Sequence, residues 1–283
     1  VSVGTLYIVG TPIGNLDDLT PRAVETLKSV DACYAEDTRR TGRLLVRIGG
    51  RVPLRSLHEH NERRRVEEVL ARLGAGENVA IASDAGTPTL SDPGRRVVAE
   101  AARGGHRVVP IPGPSAVPTA LSVSGFPADR FWFAGFPPRR GRARREWLDR
   151  VAGMEDTVVA FDAPRRLSSL LEELETLGLG ERAAVVCREL TKLHESIRRG
   201  TIRELATVYD GETVKGEVTL VIAGAASSET DRGPDEDRVR RAVEEWVDQG
   251  LSRRAIAARL EERFDLTRNE AYEWSLVDGP GDA

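Results

Sequence analysis

Along the first hundred or so residues, short apolar runs alternate with longer stretches in which apolar residues recur every three or four positions. Residues 5–9, 31–35, 78–82 and 107–111 read as strands, and 20–30, 62–73 and 92–104 as helices, the succession of a parallel α/β sheet. Thr20-Pro21 has the chemistry of a helix N-cap followed by proline in the first turn, and Asp92-Pro93 is expected to open the third helix in the same way. These residues make up an N-terminal α/β domain over 1–113.

After a segment rich in Pro, Gly and Ser, a second set begins, with a helix at 115–124 bridging the two. Strands are expected near 130–134, 157–161, 183–187 and 218–223, and helices near 143–152 and 165–177, giving a C-terminal α/β domain over 114–225. The fold class is therefore α/β, in two units. Residues 226–236, rich in Ala, Ser, Asp, Gly and Pro, read as a linker. Beyond it Val239, Val243, Trp246 and Val247 form one helical stripe and Ile256, Leu260 and Phe264 another, so 237–277 is a small helical module.

At 283 residues and 40% hydrophobic, the chain can bury a sizeable core in each unit. No apolar run approaches the roughly 18 residues that a membrane span requires, and the start shows no basic segment followed by a long apolar core; a soluble, cytoplasmic protein is expected. Cys33 and Cys187, the only cysteines, each lie in an apolar strand-like context, which suits buried thiols better than a disulfide or a metal pair. Net charge is −4, which excludes a generally basic nucleic-acid binder, but the charge is unevenly divided. From residue 226 onward nine Arg and no Lys face fifteen acidic residues, leaving the body of the chain slightly positive. The acidic balance of the tail makes a DNA-reading helix-turn-helix less apt there than packing or protein contact. Within the body, Arg139, Arg140, Arg142, Arg144, Arg145 and Arg150 crowd one segment opposed only by Glu146 and Asp149, a local footprint for phosphate.

Three strands end in loops of a kind that α/β sheets use to hold small ligands. Gly10-Thr11-Pro12-Ile13-Gly14-Asn15, Ser83-Asp84-Ala85-Gly86-Thr87-Pro88 and Pro112-Gly113-Pro114-Ser115-Ala116 each follow an apolar run, offering backbone N–H groups and one carboxylate at a sheet edge. His58 and His60 have no third metal ligand at a recognisable spacing, so no metal is expected.

Together with Ala35-Glu36-Asp37-Thr38-Arg39, His58-Glu59-His60-Asn61, Arg188-Glu189-Leu190-Thr191-Lys192 and Lys215-Gly216-Glu217, these loops resemble the tetrapyrrole-methylase superfamily of S-adenosylmethionine-dependent methyltransferases. The combination of Thr-Pro-Ile-Gly-Asn-Leu, Ala-Glu-Asp-Thr-Arg and His-Glu-His-Asn points within it to the RsmI branch, which acts on 16S ribosomal RNA. The resemblance runs in order from residue 5 to 223, with a tail similar to that branch's C-terminal module. It implies two α/β domains with S-adenosylmethionine in the cleft between them, a homodimer, and methyl transfer to the ribose 2′-oxygen of a decoding-centre cytidine. It also implies that Asp84, Thr87, Ser115 and Ala116 hold the cofactor, Pro12 and Ile13 shape its sulfonium side, and Phe161, Leu190 and Thr219 line its adenosine side. Arg39 joins Arg139, Arg140, Arg142, Arg144 and Arg145 as a candidate RNA contact.

One segment departs from the branch. Where it typically reads Phe-Tyr-Glu-Ser/Ala-Pro-His-Arg, this chain has Ala160-Phe161-Asp162-Ala163-Pro164-Arg165-Arg166, losing a hydroxyl, a methylene and a histidine. A ribose hydroxyl is a poor nucleophile at neutral pH and needs a base or a charge-stabilising neighbour, for which Glu36, Asp37, His58 and His60 are the candidates, with Glu36, Asp37 and His60 put first. Glu36 and Asp37 could equally cap a helix or pair with Arg39 and Arg40. Other readings stay open: a tetrapyrrole or protein methyl acceptor, or a non-catalytic assembly factor on ribosomal RNA that has kept the fold.

Overall fold

The computed structural model describes residues 4–212, 214–225, 236–264 and 266–276. Within Val1–Ala225, one of two compact units, two five-stranded sheets are each built around their own core.

The first sheet has strands β1 Thr5–Val9, β2 Ala32–Ala35, β3 Leu54–Ser56, β4 Val79–Ala82 and β5 Arg107–Ile111, all parallel in the order β3-β2-β4-β1-β5. Buried on both faces, β2 and β4 consist wholly of buried residues, which is why they read as unbroken apolar runs. Helices α1 Pro21–Ser29, α2 Thr38–Ile48, α3 Glu62–Gly74 and α4 Arg95–Arg103 connect them. Thr20 caps α1 as expected, its hydroxyl accepting from the Ala23 N–H at 3.2 Å with Pro21 in the first turn. The pair α2 and β3 is additional to the elements read from the sequence. Arg, Gly and Thr interrupt the apolar spacing of α2, and β3 has only three residues.

Asp92 does not cap α4. That helix starts at Arg95 after Gly94, and its first free N–H groups, those of Gly94 and Arg96, are taken by Glu62 Oε1 of α3, both at 3.0 Å. Asp92 instead accepts a hydrogen bond from the Ser83 hydroxyl.

Helix α5 Ala116–Ser124 leads into the second sheet: β6 Phe131–Gly135, β7 Thr157–Asp162, β8 Ala183–Arg188, β9 Ser196–Thr201 and β10 Val218–Ile222, in the order β6-β7-β10-β8-β9. It is mixed, because β10 enters between β7 and β8 antiparallel to both. Helices α6 Arg142–Ala152, α7 Leu167–Leu174 and α8 Ile202–Tyr209 contribute Leu148, Leu170 and Leu205 to one core of this sheet, while α5 buries Val117, Ala120 and Leu121 in another with Val159, Val185 and Val221. Strand β9 and α8 are further additions to the elements anticipated; β9, Ser-Ile-Arg-Arg-Gly-Thr, is a polar edge strand without an apolar run to mark it. Cys33 and Cys187 are buried free thiols, and burial pushes them up to about 12 and about 11, out of the reactive range.

The second unit, Ala226–Ala283, contains α9 Glu236–Asp248, α10 Arg253–Phe264 and α11 Arg268–Ser275 around Val239, Val243, Trp246, Ile256 and Leu260. Val247 lies outside that core, exposed, and Thr267 and Glu270 form a capping box on the third helix. The linker expected over 226–236 lies, apart from its last residue, outside the described residues. No helix of the described residues is long and apolar enough to cross a membrane.

Candidate active site

Parallel strands deliver their carboxyl ends to one edge of the first sheet, so the loops after β1, β4 and β5 meet there. They are bolted together. Thr11 and Gly86 exchange two backbone hydrogen bonds of 3.0 Å, the Thr11 hydroxyl donates to the Ser83 carbonyl at 2.9 Å, and the Gly10 N–H donates to the Ile111 carbonyl at 3.0 Å. Gly10 and Gly113 touch backbone to backbone, since a Cβ on Gly10 would lie 2.9 Å from the Gly113 Cα. The second half closes on the same edge: the Asn15 N–H donates to the Thr191 hydroxyl at 3.1 Å, and Ile13 packs in one apolar cluster with Leu190.

These loops enclose a cavity of about 290 Å³. Ile13, Asp84, Thr87, Ser115, Ala116, Phe161 and Thr219 all line it, so seven of the nine residues expected at the cofactor are brought together. Strand pairing sets two of them side by side, Thr219 of β10 opposite Phe161 of β7. Phe161 stands edge-on to Phe133, with centroids 4.9 Å apart, and tilted against Phe136 at 5.4 Å, giving the cavity an aromatic wall. Leu190 is buried behind the wall, and Pro12 lines an adjoining cavity instead.

The lining is acidic. Glu36, Asp84, Asp92, Asp162 and Glu217 all border the cavity, against Arg40 as its only basic side chain among the described residues. Asp84 is oriented by two neighbours: Oδ1 accepts from the Asp37 N–H at 2.9 Å, and Oδ2 lies 3.8 Å from Arg40. Glu36 titrates above its ordinary range because it is partly desolvated and faces Asp92 and Asp84; Asp92 is raised by burial, with Asp84 adding to it. Asp162 is buried at the end of β7, and burial raises it despite the Ala163 N–H and Arg166 that both engage Oδ1. Its Oδ2 has no protein partner. Among the described residues no three His, Cys, Asp or Glu side chains converge in a metal-binding arrangement.

The other candidate bases lie elsewhere. Asp37 caps α2 and chelates Arg39, whose guanidinium and N–H hold the carboxyl far below the usual range. His60 is exposed in the turn before α3, 6.0 Å from the His58 ring, and does not line the cavity. Of the four candidates, His58 included, only Glu36 does.

The arginine cluster also divides. Arg144, expected at the surface, is buried: its guanidinium grips Glu173 of α7 through two bonds of 2.8 and 2.9 Å and donates to the Pro138 carbonyl at 3.0 Å. It joins α6 to α7 and is no RNA contact, because its donors are used inside the fold. Arg142 pairs with Glu146, and Arg150 lies over the Trp132 ring at 4.4 Å. Arg139, Arg140 and Arg145 are exposed.

Sequence reasoning did not single out Arg40, Leu90, Asp92 and Phe136 as site residues. Only the structure marks the 87–91 loop: Thr89 and Ser91 adopt positive φ, 74° and 63°, a conformation that side chains other than glycine rarely hold without a structural reason.

A family model described as Tetrapyrrole (Corrin/Porphyrin) Methylases matches residues 5–206. The chain belongs to the tetrapyrrole methylase family. Among curated relatives, Ribosomal RNA small subunit methyltransferase I of Synechocystis is 44% identical, covering 97% of this chain and 98% of that protein. The protein of the same name from Mycobacterium tuberculosis is 47% identical, with 80% of each chain covered. Solved tetrapyrrole-methylase folds align over 78% of the chain: a diphthine synthase with a TM-score of 0.60 at 18% identity, and a uroporphyrin-III-C-methyltransferase from Thermus thermophilus with 0.55 at 22%. At such identities they establish the shared fold alone.

Proposed function

We propose that the chain transfers the methyl group of S-adenosylmethionine to the ribose 2′-oxygen of a decoding-centre cytidine in 16S ribosomal RNA. The observation that carries this reading is the nearly end-to-end match to relatives named as small-subunit ribosomal RNA methyltransferases. The site is compatible with it. S-adenosylmethionine brings a sulfonium and an ammonium, and a cavity with five carboxylates and one arginine suits a cationic ligand. Ser115 and Ala116, at the start of α5, offer backbone N–H groups.

When bound, the cofactor supplies an electrophilic methyl carbon: the 2′-oxygen forms the new C–O bond as the C–S bond breaks, and its electron pair stays on sulfur. The protein aligns the partners. Asp84, fixed by Asp37 and Arg40, and the Phe161 wall restrict how the cofactor lies. Glu36 is the candidate base for the 2′-hydroxyl proton, because partial desolvation and its acidic neighbours make its carboxylate a better proton acceptor than an ordinary glutamate. Catalysis is expected in the cytoplasm by a homodimer, which sedimentation would check.

The test is transfer to 30S subunits from cells lacking the protein, with the modified nucleotide mapped. One decoding-centre cytidine should gain a 2′-O-methyl group. Transfer to another acceptor, or none, overturns the reading. Glu36→Gln should lower the single-turnover rate by about 10²–10⁴ while cofactor affinity changes a few-fold at most. A rate within a few-fold of wild type would leave positioning, with water as proton acceptor.

A further inference from the structure

The cofactor cavity has a neighbour of opposite character. A second cavity of about 450 Å³ shares Ile13, Arg40, Asp84, Ala85 and Glu217 with the first, so the two meet across a wall of five residues. Beyond that wall the lining turns basic. Arg40, Arg43 and Arg47 occupy positions three and four apart on α2, which places them along one helix face spanning about 10 Å. Lys192 borders the cavity from the second half, tied to Glu189 at 2.8 Å and Glu217 at 3.0 Å. Arg43 and Arg47 are exposed, and neither has a carboxylate partner among the described residues. That contrasts with Arg65, Arg72, Arg103 and Arg203, each paired to a glutamate. Leu16 and Leu44 add apolar surface of the kind a base or ribose face covers.

We infer that this second cavity is the docking groove of the RNA strand that carries the acceptor nucleotide, with Arg43 and Arg47 holding its phosphates. The assignment rests on the RNA-methyltransferase reading above and names the surface that reading lacks. An acceptor oxygen must come within reach of the methyl group, and the groove shares its wall with the cofactor cavity. A phosphodiester strand needs cations not already neutralised by the fold, and α2 presents two on the face that borders the groove. The acidic cavity favours the cationic cofactor and opposes phosphate, so each ligand is directed to its own side.

The experiment compares wild type, Arg43→Ala/Arg47→Ala, Arg43→Lys/Arg47→Lys and Arg103→Ala for binding and methylation of 30S subunits across a salt series, with cofactor affinity by calorimetry. The alanine pair should raise KM for the subunit at least about tenfold and flatten the salt dependence by up to about 1.4 units of slope, about 0.7 per lost single-strand contact. Its cofactor affinity should not move. The lysine pair should retain most of the slope, and Arg103→Ala should behave as wild type. An unchanged KM and slope in the alanine pair, with wild type methylating normally, overturns the groove assignment alone. A wild type that methylates no RNA overturns the functional reading and the groove with it.

Discussion

Gly10 and Gly113 hold the first and third ligand loops at a separation that no side chain permits. A Cβ on Gly10 would sit 2.9 Å from both the Gly113 Cα and N, and one on Gly113 would sit 2.8 Å from the Gly10 carbonyl carbon. Neither glycine has a positive φ, so the requirement is for space and not for conformational freedom. All the opposing atoms are backbone, which no rotamer change can move. Carbon atoms pack at about 3.5–4.0 Å, so Gly10→Ala must spread the loops by at least about half an ångström. Overpacking of this kind costs about 1–3 kcal/mol, and for a unit of this size each kcal/mol lowers Tm by about 2–4 °C, giving a fall of about 2–12 °C.

Spreading also moves Ile13 away from Ser115 and Ala116, which border the same cavity. Misplacement of reacting groups by 1 Å can cost about 10²-fold in rate, so half that displacement should lower the single-turnover rate on the order of tenfold and weaken cofactor binding in the same direction. The control is Gly74→Ala. A Cβ there meets nothing within 4 Å, and Gly74 ends α3, so the same added methyl group should leave Tm unchanged or raise it slightly. Thermal melts and cofactor calorimetry on the three proteins decide the matter. A Gly10→Ala protein that melts within a degree of wild type and binds cofactor equally well would refute the claim that this contact sets the loop spacing.

Two further outcomes follow from buried charges. Arg144→Ala strands Glu173 and the Pro138 carbonyl; because Glu173 is 41% exposed, the cost should fall below that of a fully buried pair, at about 1–3 kcal/mol, visible as a lower Tm with no change in the salt slope of RNA binding. Asp92→Asn should stabilise the cofactor-free protein above neutral pH: burial raises the folded-state pKa, so ionisation begins to cost stability once the pH passes the lower, unfolded-state value and costs it in full above the folded-state one, and the Ser83 hydroxyl can still donate to an asparagine oxygen. Melts at pH 8 and pH 4 should show the gain at the higher pH only; equal melting at both would mean that the Asp92 charge carries no cost.

Apolar runs made the buried strands legible, because a strand covered on both faces has no polar positions, and Thr20-Pro21 announced its helix through local chemistry alone. The elements that escaped lack those marks. Strand β9 is polar at an edge, and β3 is three residues long. Asp92-Pro93 misled for a different reason: the N-terminus of α4 is capped by Glu62, 32 residues before Gly94, and no local pattern encodes a partner at that distance. The same limit applies to the arginines. Arg144 is indistinguishable in sequence from Arg142 and Arg145, and only its place beside the Pro138 carbonyl and opposite Glu173 makes it internal.

The departure at 160–166 narrows where the chemistry can reside. Phe161 offers no hydroxyl and adds its ring to the aromatic wall, Arg165 is exposed and a guanidinium is no proton acceptor, and Asp162 is engaged on one oxygen by Ala163 and Arg166 with no side-chain surface exposed for a substrate to reach. The second half of the cavity thus shapes and encloses, and none of these three residues is well placed to take up a proton. The first half is built differently. Glu36 follows β2 at the carboxyl edge of the parallel sheet, close enough to Asp84 and Asp92 for their charges to raise it, and its own carboxylate has no hydrogen-bond partner among the described residues. A carboxylate whose proton affinity is raised by burial and like charges, and whose oxygens are unengaged, has what a base needs. Division of labour between the two sheets therefore follows from their construction: the parallel sheet gathers several loop carboxylates at one edge, while the mixed sheet, with β10 reversed between β7 and β8, presents side chains of its strand ends as a wall.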